Sequence, residues 1–262
     1  MSHPDPPALG AGHSSSAPSS WAGSAAIGLG WGYFYGSIGD NQPHQHHAMQ
    51  IVLARTPLRI WLESAGWREC HGFVIGAGVA HQLTDTGQAM KMIFLEPESE
   101  RTRYIASRLH SGGMELSHAQ SFGLWERLEQ IGHHDLSQAI ADVLCPATTD
   151  SDARRDDALI QQLLDKLPHS LPDKITAQQL AQGVHLSPSR FQHRFVNYTG
   201  MALRPYLRWL RLLTALTAIS RGASLTQAAV DAGFADVAHF SRTFRRHFGF
   251  APRHLLKIRF IA

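Results

Sequence analysis

Between residues 26 and 98 the apolar positions fall in short runs broken by Gly, Pro and Asp: GWGYFYG, AMQIVLA, LRIWLE, GFVIGAG and AMKMIFLEP. Alternating or wholly apolar runs of five to seven residues at this spacing predict strands of a sandwich or small barrel. From Ser99 the period lengthens. ERTRYIASRL, GLWERLEQI, DLSQAIADVL and ALIQQLLDKL set apolar residues three and four apart, so the stretch from 99 to 170 reads as helices. CPATTDSDARRDD between them reads as a loop, and Leu167-Pro168 with LPDK marks a linker. Residues 1–25, rich in Pro, Gly, Ser and Ala, read as a disordered tail.

From 171 to 262 the pattern stays helical and its punctuation can be read piece by piece. Thr176 is placed to cap AQQLAQGV, and Ser187-Pro188 is a cap followed by proline at the first helical position. Gly200 ends that helix. A long helix runs from Leu203 to Arg221 and stops at Gly222; Ser224 caps the next, Gly233 ends it, and Gly249 closes GFADVAHFSRTFRRHFG. Two halves repeat. Phe-x-x-x-Phe-x-x-x-x-Gly occurs as Phe191/Phe195/Gly200 and again, 49 residues on, as Phe240/Phe244/Gly249. Each is preceded by a helix bearing a small residue, Ala181 or Ala229, four positions before a turn residue, His185 or Gly233. Alanine lets two short helices approach closely, and the turn position favours a residue that tolerates positive φ. The phenylalanines are core; the layout is helix-turn-helix, twice.

Charge sharpens the picture. Residues 171–262 carry 13 Lys+Arg against 3 Asp+Glu, whereas the preceding 170 carry 11 against 18. The basic segment is the footprint of a polyanion binder, although charge alone does not separate nucleic acid from membranes or acidic proteins.

The residues LSPSRFQHRF and GFADVAHFSRTFRRHFGFAP, joined by the helix containing RPYLRWLRLLTALTAI, resemble the DNA-binding domain of the AraC/XylS transcription regulators. The resemblance runs from about Ile175 to Leu256. It implies two recognition helices on one face, entering successive major grooves about 34 Å apart on double-stranded DNA. Matched to the family's motif and to the face opposite the buried stripe, the DNA-facing set is Ser189, Arg190, Gln192 and His193 in the first helix. In the second it is Val237, Ala238, His239, Arg242 and Arg245. Arg242 suits guanine, Gln192 adenine, and Val237 with Ala238 a thymine methyl. Arg194, Arg208, Arg246 and Arg253 suit phosphate or plain surface charge. RNA polymerase enters as a partner implied by the family.

In the strand-rich part, PHQHHAMQ supplies His44, His46, His47 and Gln50, and GAGVAH ends in His81. The spacing resembles the two motifs of the cupin barrel, with Gln50 where a metal-binding cupin has glutamate. Two readings follow: the histidines line a small-molecule effector pocket, with Trp31, Tyr33, Phe34 and Trp61 near, or His44, His46 and His81 hold a divalent metal with Gln50 as a fourth ligand. The expected fold class is therefore α+β: a cupin-like sensor barrel over 26–98, a helical connector or dimerisation region over 99–170, and an all-α domain with two helix-turn-helix motifs over 171–262. A homodimer through the connector helices fits the resemblance.

The expected function is an effector-controlled, sequence-specific transcription regulator rather than an enzyme. A cupin-type metalloenzyme fused to a DNA-binding domain is the alternative, and a DNA binder indifferent to sequence a third. No run approaches a membrane span, residues 1–20 lack a signal peptide's basic start and apolar core, and two lone cysteines, Cys70 and Cys145, fit reduced thiols in the cytoplasm.

Overall fold

The computed structural model describes residues 21–39, 41–84, 87–131, 135–145, 158–167 and 175–261. Most of the expected tail, the CPATTDSDARRDD loop after Cys145 and the 168–174 linker lie outside them. Six strands build most of one sheet: β1 Ala22–Gly28, β2 Trp31–Ser37, β3 Met49–Leu62, β4 Gly66–Ile75, β5 His81–Leu83 and β6 Ala89–Leu95. The order is β7-β4-β3-β6-β2-β1-β8, with β5 paired to β3, where β7 is Gly113–Glu115 and β8 is Ile258–Phe260. The sheet is open, ending at β7 and β8, so the expected barrel is not closed.

The runs AMQIVLA and LRIWLE are one strand. β3 passes through Pro57 by shifting register against β4 between Leu53 and Leu58, which is where a proline with no N–H to give can sit in a sheet. Its first half pairs with β6 and its last residues with β5. Two expected boundaries also move. β1 begins at Ala22, inside the stretch read as tail, because AGSAAIG has no β-branched residue before Ile27 to announce it. And the C-terminal region is not wholly helical: β8 lies parallel to β1, Gly23 opposite Ile258 and Ala25 opposite Phe260.

One face of the sheet carries helices α1 Glu100–Ala106, α2 His118–Ile131 and α3 Leu136–Leu144. Ile51, Leu53, Val74 and Ile93 pack there with Leu124, Trp125, Leu128 and Ile140. Lys91 reaches into this layer, buried to 2% exposure. Its ammonium donates to the Trp125 carbonyl at 2.9 Å and lies 4.4 Å from the Trp125 ring.

Past α4 Ala158–Lys166 come α5 Ala177–Gly183, α6 Pro188–Thr199, α7 Leu203–Ser220, α8 Leu225–Asp231 and α9 Val237–Phe248, then a 3-10 turn over Pro252–Lys257. The first helix-turn-helix unit has its own core: Phe191, Phe195, Leu180 and Ala181 pack on Ile160 and Leu164 of α4 and on Leu203, Tyr206, Leu207 and Leu210 of α7. The second does not. Phe240, Phe244, Ala228, Ala229 and the second half of α7 share one core with Phe34, Val52, Ile60 and Met92 of the sheet's other face. Phe250 seals that junction by stacking on Trp21, centroids 4.0 Å apart and planes at 23°.

Candidate functional site

Both turns are built alike. Leu186 N–H donates to Ala181 O at 2.9 Å, and Phe234 N–H to Ala229 O at 3.0 Å. These bonds close each preceding helix on a left-handed residue, His185 at φ 56° and Gly233 at φ 78°. His185 thus occupies the region expected of it, since histidine visits it more readily than most residues. Thr176 forms a capping box with Gln179, and Ser187 caps α6 ahead of Pro188. α9 is capped by Asp236, whose carboxylate accepts from His239 N–H at 2.6 Å. Asp236 stands four residues before Phe240, as Ser187 does before Phe191, a signal present in the sequence but not drawn from it. The alanines are 48 residues apart and the caps 49, so the second turn is one residue longer.

Because Phe191/Phe195 and Phe240/Phe244 turn inward, the opposite faces turn to solvent. Ser189, Arg190, Gln192 and His193 are all exposed on α6, as are Ala238, Arg242 and Arg245 on α9. Val237 leans partly on the core, and His239 stands edge-on to Phe234 at 5.3 Å, so both are half-buried. Arg246 is exposed beside them. α9 has three arginines and no carboxylate of its own, and the Asp236 side chain just before it is bound into the helix start.

The second site is the histidine cluster. A backbone bridge joins His44 and His81, with N–H···O distances of 3.0 and 2.9 Å. The β3 start delivers Gln50 beneath them. One ring nitrogen each from His44, His46 and His81 lies within 4.8 Å of the other two. His46, His81 and Gln50 are buried to 3%, 1% and 2% exposure. Burial pushes His46 down to about 4 and His44 to about 3, the latter helped by His46, and it holds His81 well below the ordinary imidazole value. The rings are therefore neutral near pH 7.

The cluster's neighbours come from both ends of the chain. His46 lies 5.5 Å from Phe94, 6.3 Å from Trp209 on α7 and 6.0 Å from Phe248 on α9. Tyr33 and Phe34, expected near a pocket, belong instead to the two opposite cores. His47 points elsewhere: its Nε2 pairs with Glu98 Oε1 at 2.6 Å, both buried, under the Tyr206 ring. Nothing in one sequence marks Trp209, Phe248 or Glu98 as neighbours of these histidines.

An open sheet carrying a buried histidine cluster, fused through a shared core to two helix-turn-helix units with basic outer faces, defines a two-domain helix-turn-helix protein. A helix-turn-helix domain family matches residues 180–258. The transcriptional activator RhaS of Salmonella schwarzengrund is 31% identical over 104 residues, and RhaS of Salmonella newport likewise. The match covers 39% of this chain and 37% of the RhaS chains, so the chain spans little over a third of those relatives' length. ToxT from Vibrio cholerae has the same overall fold, with a TM-score of 0.57 at 12% identity over 86% of this chain and 97% of ToxT. ToxT of strain SCE256, bound to an unsaturated fatty acid, superposes at 0.54 with 10% identity over 86% and 94%. Residues 180–258 are thus similar to a helix-turn-helix domain family, and the chain as a whole has the fold of ToxT.

Proposed function

We propose that the chain is a sequence-specific DNA-binding transcription regulator whose sheet domain senses an effector. The observation that carries this reading is the repeated unit: two recognition helices capped, turned and cored alike, each with an exposed polar or basic face. In the reading, α6 meets bases through Ser189, Arg190, Gln192 and His193. α9 meets them through Ala238, Arg242 and Arg245, with Val237 and His239 at the edge of the contact. Arginine supplies salt-sensitive phosphate affinity, and base-edge contacts add selectivity. The reading assigns no catalytic step, and it places the protein in the cytoplasm with its DNA.

The RhaS relatives are named transcriptional activators, which supports activation through RNA polymerase, with a homodimer through the connector helices as a further element of the proposal. That a ToxT of the same fold binds a fatty acid supports effector control from the sheet domain. Here the effector site is His44, His46, Gln50 and His81, whose ring neighbours include α7 and α9. An effector acts by its different affinity for the two placements of the DNA-reading unit.

Selection of bound duplexes from a random pool tests the function. The expected product is a site with two conserved blocks about one helical turn apart, roughly 10 base pairs. Equal affinity for selected and random duplexes at fixed salt refutes it.

A further inference from the structure

The three imidazoles and Gln50 form a donor set with a defect that a cation repairs. In each ring Nδ1 lies 2.8 Å from a backbone carbonyl oxygen: Gln42 for His44, Ala48 for His46, Val79 for His81. A carbonyl only accepts, so each Nδ1 carries the proton and each neutral ring keeps a bare lone pair on Nε2. This is also how metal-bound histidines are held. The Nε2 atoms of His46 and His81 then face Gln50 Oε1 at 3.0 and 3.1 Å, acceptor against acceptor, while the amide NH2 turns to Met92 Sδ at 3.4 Å. Turned over, the amide would give both rings a hydrogen, so Gln50 has one face for an empty site and one for a filled site. The oxygen faces the rings here. A tetrahedral ion with bonds of about 2.0–2.1 Å sets its ligands about 3.3 Å apart. Side-chain rotation can supply that closure from separations within 4.8 Å.

The cluster also touches the second reading helix. Gln42, whose carbonyl holds His44, donates its own N–H to Gly249 O at 2.9 Å. Gly249 is the left-handed C-cap of α9, at φ 76°. A Cβ there would stand 2.6 Å from both Gln42 O and His44 Nδ1, so this approach requires glycine. Phe248, one residue earlier, packs near His46.

We propose that His44, His46, His81 and Gln50 bind one divalent transition-metal ion, and that its binding resets the seating of α9 through the His44–Gln42–Gly249 contact. The donor set selects the class. Imidazole suits zinc, nickel, cobalt or copper, whereas calcium and magnesium take all-oxygen shells. None of the four ligands carries charge, so both positive charges of the ion remain uncompensated in a buried site. The consequence for gene control rests on the DNA-reading function proposed above; the contact between ion and helix does not.

The test titrates the full chain with zinc, nickel or cobalt salt alone. Three readouts are followed: cobalt absorption, amide hydrogen exchange over residues 237–250, and affinity for a selected duplex. One ion per chain is expected, with altered exchange in the last turn of α9 and a shift in DNA affinity between about 5- and 150-fold. His81→Ala should abolish all three responses. Gln50→Glu should tighten metal binding about tenfold or more, since ligand charge tunes affinity, and should be stabilised by metal. Absence of a bound ion, or stability of Gln50→Glu that ignores metal, overturns the site. A bound ion with unchanged α9 exchange overturns the coupling. If no duplex is bound in either state, the proposed function fails, while exchange at α9 still decides this inference.

Discussion

Phe250→Ala tests whether the second helix-turn-helix unit is welded to the sheet. Phe250 is 9% exposed, stacks on Trp21 at 4.0 Å, and meets Phe244 at 5.2 Å with planes at 85°. A phenylalanine buried to this extent removes about 150–200 Å² of apolar surface from water. At about 25 cal/mol per Å² that is about 4–5 kcal/mol, in line with the roughly 3–5 kcal/mol cost of truncating a core phenylalanine. Loss of stacking on Trp21 adds about 1 kcal/mol. For a chain of this size each kcal/mol moves Tm by about 2–4 °C, so a fall of at least 8 °C is expected. Because the residue lies on the seam and not within the first unit, the damage should be local. Hydrogen exchange should rise in β1, β8 and α9, while α5 and α6, packed on α4 in a separate core, keep their protection. Calorimetry gives the magnitude and exchange gives the place. A loss under about 1 kcal/mol, or equal deprotection of residues 177–199, refutes the shared core.

Arg242→Ala should cost about 1–3 kcal/mol in binding to a selected duplex and loosen preference at one position; anisotropy against matched and random duplexes checks it, and equal losses on both move Arg242 to the phosphate backbone. Gly233→Ala forces a side chain to φ 78° with its Cβ 3.4 Å from Arg211 Nε, so denaturant melts should show a loss of about 1–2 kcal/mol, whereas His185→Gly at φ 56° should be close to neutral. Lys91 yields a pH signature. Burial, opposed by Glu129 and aided by Arg55, depresses its ammonium to about 8. The unfolded chain then binds more protons between about 8 and 10.5, so stability should rise with pH across that window by up to about 3 kcal/mol. Subtracting the profile of Lys91→Met from wild type isolates the slope from Tyr33 and Cys70, which titrate in the opposite sense, and a flat difference refutes the burial argument.

Local chemistry was the legible part. Caps, turns and the Phe-x-x-x-Phe stripes depend on neighbours within five residues, so Thr176, Ser187, Ser224, Gly200 and Gly249 all act where the sequence placed them. The exposed faces of α6 and α9 followed from the same stripe. Pairings across long separations left no trace. β8 is only IRF, three residues whose partner lies some 235 positions away, and β1 is built of small residues that announce nothing alone. The two apolar runs of β3 looked separate because Pro57 interrupts the hydrogen-bond ladder without ending the strand. In the cluster, the spacing that brings His44, His46 and His81 together was readable. The approach of Trp209 and Phe248 was not, since it depends on how α7 and α9 dock.

The parallel pairing of β8 with β1 sets an order of events during synthesis. The edge of β1 stays unsealed until Ile258 has left the ribosome, roughly 12–47 s after Gly23 at about 5–20 residues per second. Through that interval a bare strand edge faces the crowded cell, where it can template pairing with another nascent chain. The strand is sealed only by residues made some 235 positions after it, so a ribosome stalled between the two leaves that edge of the sheet bare and prone to aggregation.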